Sequence, residues 1–443
     1  MLGMRTAQLL AREGADVTLY EASDHLGGLA DAWKLGDVTW DRHYHVTLLS
    51  DFELRDVLTE LGLEDHVRWV ETKTGFFTDG QLYSMSNTVE FLKFPPLSMI
   101  DKLRLGGTIF LGSKIKNWQK LETILVEDWL RKWSGSRTTE KMWLPLLRAK
   151  LGENYKKTSA AFIWATIARM YAARRSGLKK EMFGYVSGGY QTVLESYEQQ
   201  LRDDGITIRC GHRLEHVERT DHGTELRFDK GTTDTCDNVV MTIPSPLISN
   251  ACPALTQGEH DKLNGIQYQG IVCASLLLKE SLSPYYVTNI TDEWVPFTAV
   301  IEMSALVDKA EFGGNALVYL PRYADPNDPI FEKPDDELRE EFVSALEKMY
   351  PHFKRDQVEA FRVSRVRHVV GLSTVDYSKN LPDMQTSLPG VFAVNSAQIV
   401  NGTLNVHETL SLARRAFDDL LKPRLGQPVG QAVPDSQQQP CMT

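Results

Sequence analysis

The sequence predicts an α/β fold in which a parallel-sheet layer is assembled from separated stretches of chain, with a mostly helical α+β unit inserted between them. Three observations predict it. A helix pattern, a glycine stop, a short apolar strand and an acidic residue follow one another within the first 21 residues. Strand-like segments recur far downstream at 238–243 and 390–395, the second leading into an amphipathic helix. Between the two ends lies a helix-dense stretch, from about Thr74 to Met182, with four of the nine tryptophans between Trp118 and Trp143. Strands alternating with helices at both ends of a chain build a doubly wound layer, and the long middle then folds as its own unit.

Composition sets the frame. A chain of 443 residues exceeds a typical domain of ~150, so two or three packed units are expected. Hydrophobic residues at 42% and charged residues at 24% are ordinary globular values, which excludes a wholly disordered chain. The balance of 49 basic and 59 acidic residues gives −10, a charge that repels nucleic acid. Five cysteines (Cys210, Cys236, Cys252, Cys273, Cys441) form no CxxC pair, which points to a reducing compartment rather than a disulfide framework or a zinc ribbon. The longest uncharged stretch, Val239 to Gly258, is interrupted by Pro244, Pro246 and Pro253, so no spanning helix is expected. The N-terminus shows no secretory pattern, and the expected location is the cytoplasm.

In order along the chain, Leu2 to Arg12 reads as a helix with Leu2, Ala7, Leu9, Leu10 and Ala11 as its apolar set, stopped at Gly14. Val17 to Tyr20 reads as a buried strand ending at Glu21, and a Gly-Gly pair follows at Gly27 and Gly28. After the helical middle, Gly188-Gly189 opens a helix through Leu201, then strands are expected at Ile206–Arg209, Thr224–Phe228 and Asn238–Ile243. Residues 246–360 mix strands and helices. Asn405 to Leu421 reads as a closing helix with Leu410, Ala413, Phe417, Leu420 and Leu421 on one face. Past Lys422, four prolines and five glutamines in the last 21 residues cannot build a core, and 423–443 is expected to be a disordered tail.

The chemistry-bearing pattern lies at the start. A dinucleotide fold places a glycine-rich turn at a helix N-terminus, where the backbone can approach a pyrophosphate, and an acidic side chain about twenty residues on takes a ribose hydroxyl. Gly3 stands at the start of the first helix, Ala7 allows close packing on the sheet, and Glu21 closes the next strand.

Glu21-Ala22-Ser23-Asp24-His25-Leu26-Gly27-Gly28 resembles the E-A-x-x-R-x-G-G segment of the flavin-containing amine oxidase superfamily, which includes protoporphyrinogen oxidases and phytoene desaturases, with UDP-galactopyranose mutases as distant relatives. Trp40 to His45 resembles its D-x-G-x-H segment, Ser187 to Tyr190 its P-G-G, Asp237 to Pro246 the returning strand, and Gly390 to Val394 with the Asn405 helix its closing flavin motif. The resemblance covers nearly the whole chain. It implies a Rossmann-like FAD domain from residues 1–75, 183–245 and 362–422, and a substrate domain from 76–182 and 246–361. It also implies that Gly3, Gly27, Gly28 and Leu29 approach the FAD pyrophosphate, that Glu21 and Ala22 meet the adenosine ribose, and that Leu214 touches adenine through its main chain. Asn395 and Ser396 would lie along the ribityl chain, and Asn405 and Val406 would offer the helix N-terminus to flavin O2. Because Met1 falls just before the third glycine of the fingerprint, the resemblance further implies an upstream apolar strand ending in Gly-x-Gly. Several positions depart from the family pattern: His25 and Leu29 stand for arginines, His43 for a glycine, and Asn395-Ser396 for Gly-Asp.

His43 and His45, two apart on an expected strand, face one side; they read as flavin-side residues, with His45 the candidate acid or base, and no metal centre is expected. Residues 141–180 hold ten basic residues and one acid, Glu153. They are read either as a solvated face or as a site: Arg148, Arg169, Arg174 and Arg175 for an anionic small-molecule substrate, or Lys156, Lys157, Lys179 and Lys180 for a peripheral membrane contact. With no second dinucleotide fingerprint, oxygen or a quinone-like molecule is the expected electron acceptor. The implied activity is hydride removal from a bulky organic substrate. The alternatives are a flavin mutase acting on a nucleotide-sugar, with those arginines clamping a diphosphate, and a flavin-free scaffold.

Overall fold

The computed structural model describes residues 1–173 and 182–426. The first helix runs Leu2–Arg12, with the bounds its apolar spacing predicts. The parallel layer is made of two ladders: Thr18–Tyr20 pairs with Thr207–Arg209, and Val239–Met241 pairs with Val391–Ala393. Gly3 lies between them. A Cβ there would stand 3.2 Å from Thr242 Oγ1 on one side and 3.5 Å from Leu19 on the other, so the helix starts as close to both ladders as a glycine allows. Helices Phe52–Glu60, Gly189–Asp203 and Val406–Ala416 join the first helix around a shared core of Met4, Ala7, Leu54, Val193, Tyr197 and Leu410.

The inserted unit is built on a seven-stranded sheet in the order Val358–Gly371, Tyr268–Leu278, Ala316–Ala324, Ala299–Glu302, Val287–Ile290, Thr74–Thr78, Gln81–Ser84. It is antiparallel except where Val287–Ile290 runs parallel to Thr74–Thr78. Every residue of Tyr268–Leu278 is buried, because both faces of this central strand are covered. Val272, Ala274, Leu276 and Leu278 pack under helix Asp335–Met349, whereas Ile271, Cys273 and Leu277 face Trp40, Leu48 and Phe183. The helical part of the insertion, residues 88–173, has its own core around Trp129, Leu130, Trp143 and Leu147. Two tryptophans of that stretch are thus core, and Trp143 Nε1 donates to Ser134 at 3.0 Å.

Two expectations change here. The stretch expected to be helical from Thr74 opens with a hairpin, Thr74–Thr78 and Gln81–Ser84. The boundary expected at 361/362 falls inside the continuous strand Val358–Gly371, which pairs along its length with Tyr268–Leu278. The expected tail overlaps the described residues only as far as Gly426; residues 427–443 lie outside them.

Candidate functional site

Three stretches converge on one wall. The turn after Glu21 brings its N–H groups round by positive-φ glycines: Gly27 at +136° and Gly28 at +62°. A Cβ on Gly27 would stand 2.9 Å from Leu194 and 3.1 Å from the Asp31 backbone, so this position admits only glycine, whereas a Cβ on Gly28 would meet nothing within 4 Å. Leu26 and Ala30 of this turn share a core with Met4 of the first helix and Val406 of the closing helix. That closing helix, Val406–Ala416, is capped as its sequence predicts: the Asn405 side chain accepts from Glu408 N at 3.0 Å. The reciprocal half of the capping box is replaced, since the Glu408 carboxylate lies against Gly402. Among the described residues no side chain accepts from Val406 or His407 N–H, so the first turn keeps donors for an anionic group.

Glu21 ends its strand with the carboxylate accepting from Ser23 N at 2.8 Å, and its carbonyl accepts from His212 N beside the strand that opens at Leu214. Leu214 thus opens a separate three-stranded sheet two residues past the contact of His212 with Glu21. Asn395 is different. It is buried, its Oδ1 accepts from Ala397 N, and its Nδ2 donates to Ser245 Oγ, so both ends of its amide are engaged inside the protein. Only Ser396 of that pair keeps a free side-chain oxygen among the described contacts.

Residues 40–45 are the densest cluster of unpaired buried polar atoms: Trp40 Nε1, Arg42 Nε, His43 Nε2 and His45 Nδ1. The two histidines do not share a strand face. Strand Val38–Asp41 ends where its hairpin partner begins at Ala32, so both lie in the following loop. His43 Nδ1 faces Leu29 O at 3.4 Å, and burial with the neighbouring His45 and Arg42 pulls its pKa down to about 3, which keeps the ring neutral. His45 packs on Tyr190, ring centroids 4.7 Å apart, with Nδ1 3.6 Å from the Asp41 carboxylate. Asp41 is itself held by Tyr190 N at 2.7 Å, and burial pushes the Tyr190 hydroxyl well above its ordinary pKa. Asp41, His45 and Thr47 line a cavity of about 10 Å³ together with Trp40, Val46, Tyr185, Tyr190 and Met303. His25, at the arginine position of the family pattern, bridges Asp24 and Asp31, and Arg42 meets Asp31 from the other side at 2.7 Å.

The arginine clamp does not form from the described residues. Arg169 makes two hydrogen bonds to the buried Asp51, at 2.9 and 3.0 Å, which neutralise it. Arg148 is partly exposed, with Tyr155 Oη at 3.4 Å and Glu293 at 3.6 Å. Lys156 pairs with Glu153 on the surface. Arg174, Arg175, Lys179 and Lys180 lie outside the described residues. Sequence reasoning missed the buried network in the first turn of the first helix, where Arg5 is fully buried and meets Glu60 at 2.8 Å and Glu53 at 3.4 Å. No local pattern marks an arginine as buried when its partners lie about fifty residues away. Among the described residues no group of three or more His, Cys, Asp or Glu side chains could hold a metal ion.

The positive-φ glycines, the first-turn donors at Val406 and His407 and the orphaned polar atoms at 40–45 fit a dinucleotide with an attached planar ring system. Comparison with known proteins agrees. The sequence profile described as flavin containing amine oxidoreductase matches residues 3–416. The 15-cis-phytoene desaturase of Capsicum annuum is 23% identical over 281 residues, covering 57% of this chain and 46% of the desaturase, so the chain spans about half the length of that relative. Zeta-carotene desaturase of Synechocystis sp. is 24% identical over 300 residues, 60% of each chain. Among solved structures, a protein assigned as protoporphyrinogen oxidase from Exiguobacterium sp. 255-15 superposes with a TM-score of 0.73 at 18% identity, over 94% of this chain and 95% of that one.

Proposed function

Because the chain belongs to the family of flavin containing amine oxidoreductases, we propose that it is an FAD-dependent oxidoreductase removing a hydride from a bulky, unsaturated organic molecule. The observation that carries this reading is the convergence of the Gly27-Gly28 turn and the N-terminus of helix Val406–Ala416 on one core, with His43 joined to the turn through Leu29 O. FAD, when bound, supplies the acceptor for the hydride. Gly3, Gly27, Gly28 and Leu29 would hold its pyrophosphate through their backbone, Glu21 and Ala22 its ribose, Leu214 its adenine, and Ser396 its ribityl chain. Val406 and Asn405 would place a helix N-terminus, about half a positive charge, against the electron-rich edge of the ring.

The protein's own groups do the rest. His43 stays neutral and offers an uncharged Nε2. His45 is the proposed proton acceptor, since its ring packs on Tyr190 with Nδ1 3.6 Å from the Asp41 carboxylate. Beside it stand the aromatic and apolar side chains of Trp40, Val46, Tyr185 and Met303, which suit an uncharged reacting portion. Similarity to the two carotenoid desaturases supports an extended unsaturated substrate over a charged one. The diphosphate clamp needed for a mutase reading loses Arg169 to Asp51. Oxygen or a quinone-like molecule is the proposed electron acceptor.

The test is direct. Purified protein should release one FAD per chain on denaturation, identified by mass, and its flavin spectrum should bleach anaerobically with an unsaturated lipophilic substrate and return on adding the acceptor. Turnover that consumes no acceptor would refute the oxidoreductase reading, and a colourless protein that fails to take up added FAD would leave the flavin-free scaffold.

A further inference from the structure

Seven of the twelve large apolar side chains exposed among the described residues lie between Val89 and Leu111. Five sit on helix Met99–Lys114, where Met99, Ile100, Leu103, Phe110 and Leu111 fall on one stripe by helical spacing, with Ile100 and Leu103 the most open at 65% and 68%. The opposite face of the same helix is already buried. Leu105 joins the helical core, and Gly112 sits where a Cβ would stand 3.3 Å from Ile167. A helix apolar on both faces, with one covered by its own protein, has its second face built for another apolar phase.

The charges around the stripe indicate which phase. From Thr88 to Lys120 every exposed charged residue is basic: Lys93, Arg104, Lys114, Lys116 and Lys120. The two acids of this stretch are engaged by the protein's own donors. Glu90 accepts from Ser84 Oγ and Ser86 N, and Asp101 caps the helix with Ser98 and accepts from Thr138. Lys102 is buried and donates to Leu92 O at 2.7 Å, which fixes the short helix Thr88–Lys93 and its exposed Leu92 beside the stripe. In a chain of net −10, a stretch whose exposed charges are all positive and which carries an apolar stripe is complementary to an anionic bilayer surface. We propose that helix Met99–Lys114, with Leu92 beside it, docks the protein on anionic lipid, the apolar stripe entering the interface and the lysines meeting the headgroups. No helix among the described residues is long and apolar enough to cross a membrane, so the contact lies on the surface of the bilayer. This contact is distinct from the lysines at 156–180 singled out in the sequence, and it does not depend on the proposed reaction.

The experiment is vesicle sedimentation with the full chain, using phosphatidylcholine vesicles with and without phosphatidylglycerol. Binding should require the anionic lipid, and Ile100→Ser and Leu103→Ser should each lower it about tenfold, the scale for withdrawing one large apolar side chain from an apolar phase. Both positions are exposed, so melting temperature should not move. Gly107→Leu, on the same stripe where a side chain meets nothing within 4 Å, should tighten binding and guards against a loss caused by misfolding. Absence of binding to the vesicles that contain phosphatidylglycerol overturns the proposal. So does binding that the stripe variants leave unchanged, and so does a dimer in sedimentation velocity that Leu103→Ser abolishes without any vesicle binding.

Discussion

Replacing Arg169 with Gln separates a structural arginine from a substrate-binding one. Arg169 stands on helix Ala160–Ala173 and reaches Asp51, just before helix Phe52–Glu60, 118 residues away in sequence. The Asp51 side chain is only 2% exposed and that of Arg169 18%. Removing the guanidinium leaves a buried carboxylate with one remaining donor to it among the described residues, Leu48 N at 2.8 Å. Breaking a buried pair from one side costs about 3–5 kcal/mol. The surviving Leu48 bond and the partial exposure of Arg169 place the expected loss near the lower end, ~3 kcal/mol of a total of roughly 5–15. Asp51→Asn should cost less, ~1–2 kcal/mol, because the amide still accepts from Leu48 N and the stranded guanidinium can reach water. Urea denaturation of parent, both single variants and the double variant gives the coupling, expected to exceed ~1.5 kcal/mol for groups in direct contact. KM should change little in any variant that remains folded. If Arg169→Gln keeps parental stability within ~0.5 kcal/mol, the range for an ordinary surface change, while raising KM for an anionic substrate, the structural assignment is wrong.

Three single residues carry the remaining predictions. Burial pushes the Glu302 carboxyl up from 4.5 to about 7 despite hydrogen bonds from Leu282 N, Ser283 N and Ser304. The folded state thus holds a proton that the unfolded state releases, so stability should fall as pH rises from about 4.5 to 7, by ~3 kcal/mol, the free energy of a difference in proton affinity of that size. Glu302→Gln should then raise the melting temperature at pH 8 and leave it unmoved at pH 4, and an equal effect at both would remove Glu302 as the titrating group. Gly27→Ala forces a left-handed φ and a 2.9 Å contact with Leu194, which should cost ~2–4 kcal/mol and loosen FAD retention together, measured by denaturation and by flavin released on dialysis. Glu21→Ala should weaken FAD binding by about 1.5–3 kcal/mol with stability unchanged, and Glu21→Gln by less; full flavin retention after dialysis would take Glu21 out of the ribose site.

Elements whose pattern is local were legible from the residues alone. Leu2–Arg12 carries its own helical stripe and glycine stop, and Asn405 announces the closing helix three residues ahead of Glu408. The closing helix was expected to run to Leu421, and it does so with its last turn, Phe417–Leu421, widened into a π-helix. The hairpin Thr74–Ser84 was hidden for the opposite reason: Phe76 and Phe77 are both buried, on two different faces, so no alternation marks the strand.

The fold class, the family, and the glycine turn and helix N-terminus that would cradle a dinucleotide are thus written in the chain itself, because each is encoded within a short run of neighbours. The state of the charged side chains is settled by packing instead. Arg169 and Arg5 were unreadable as buried, paired groups, since their partners lie 118 and about fifty residues away and a charge is neutralised by proximity in space. The placement of His43 and His45 in a loop rather than on a strand, and the open second face of helix Met99–Lys114, were likewise hidden, because a period tells which residues share a face and packing tells what that face meets.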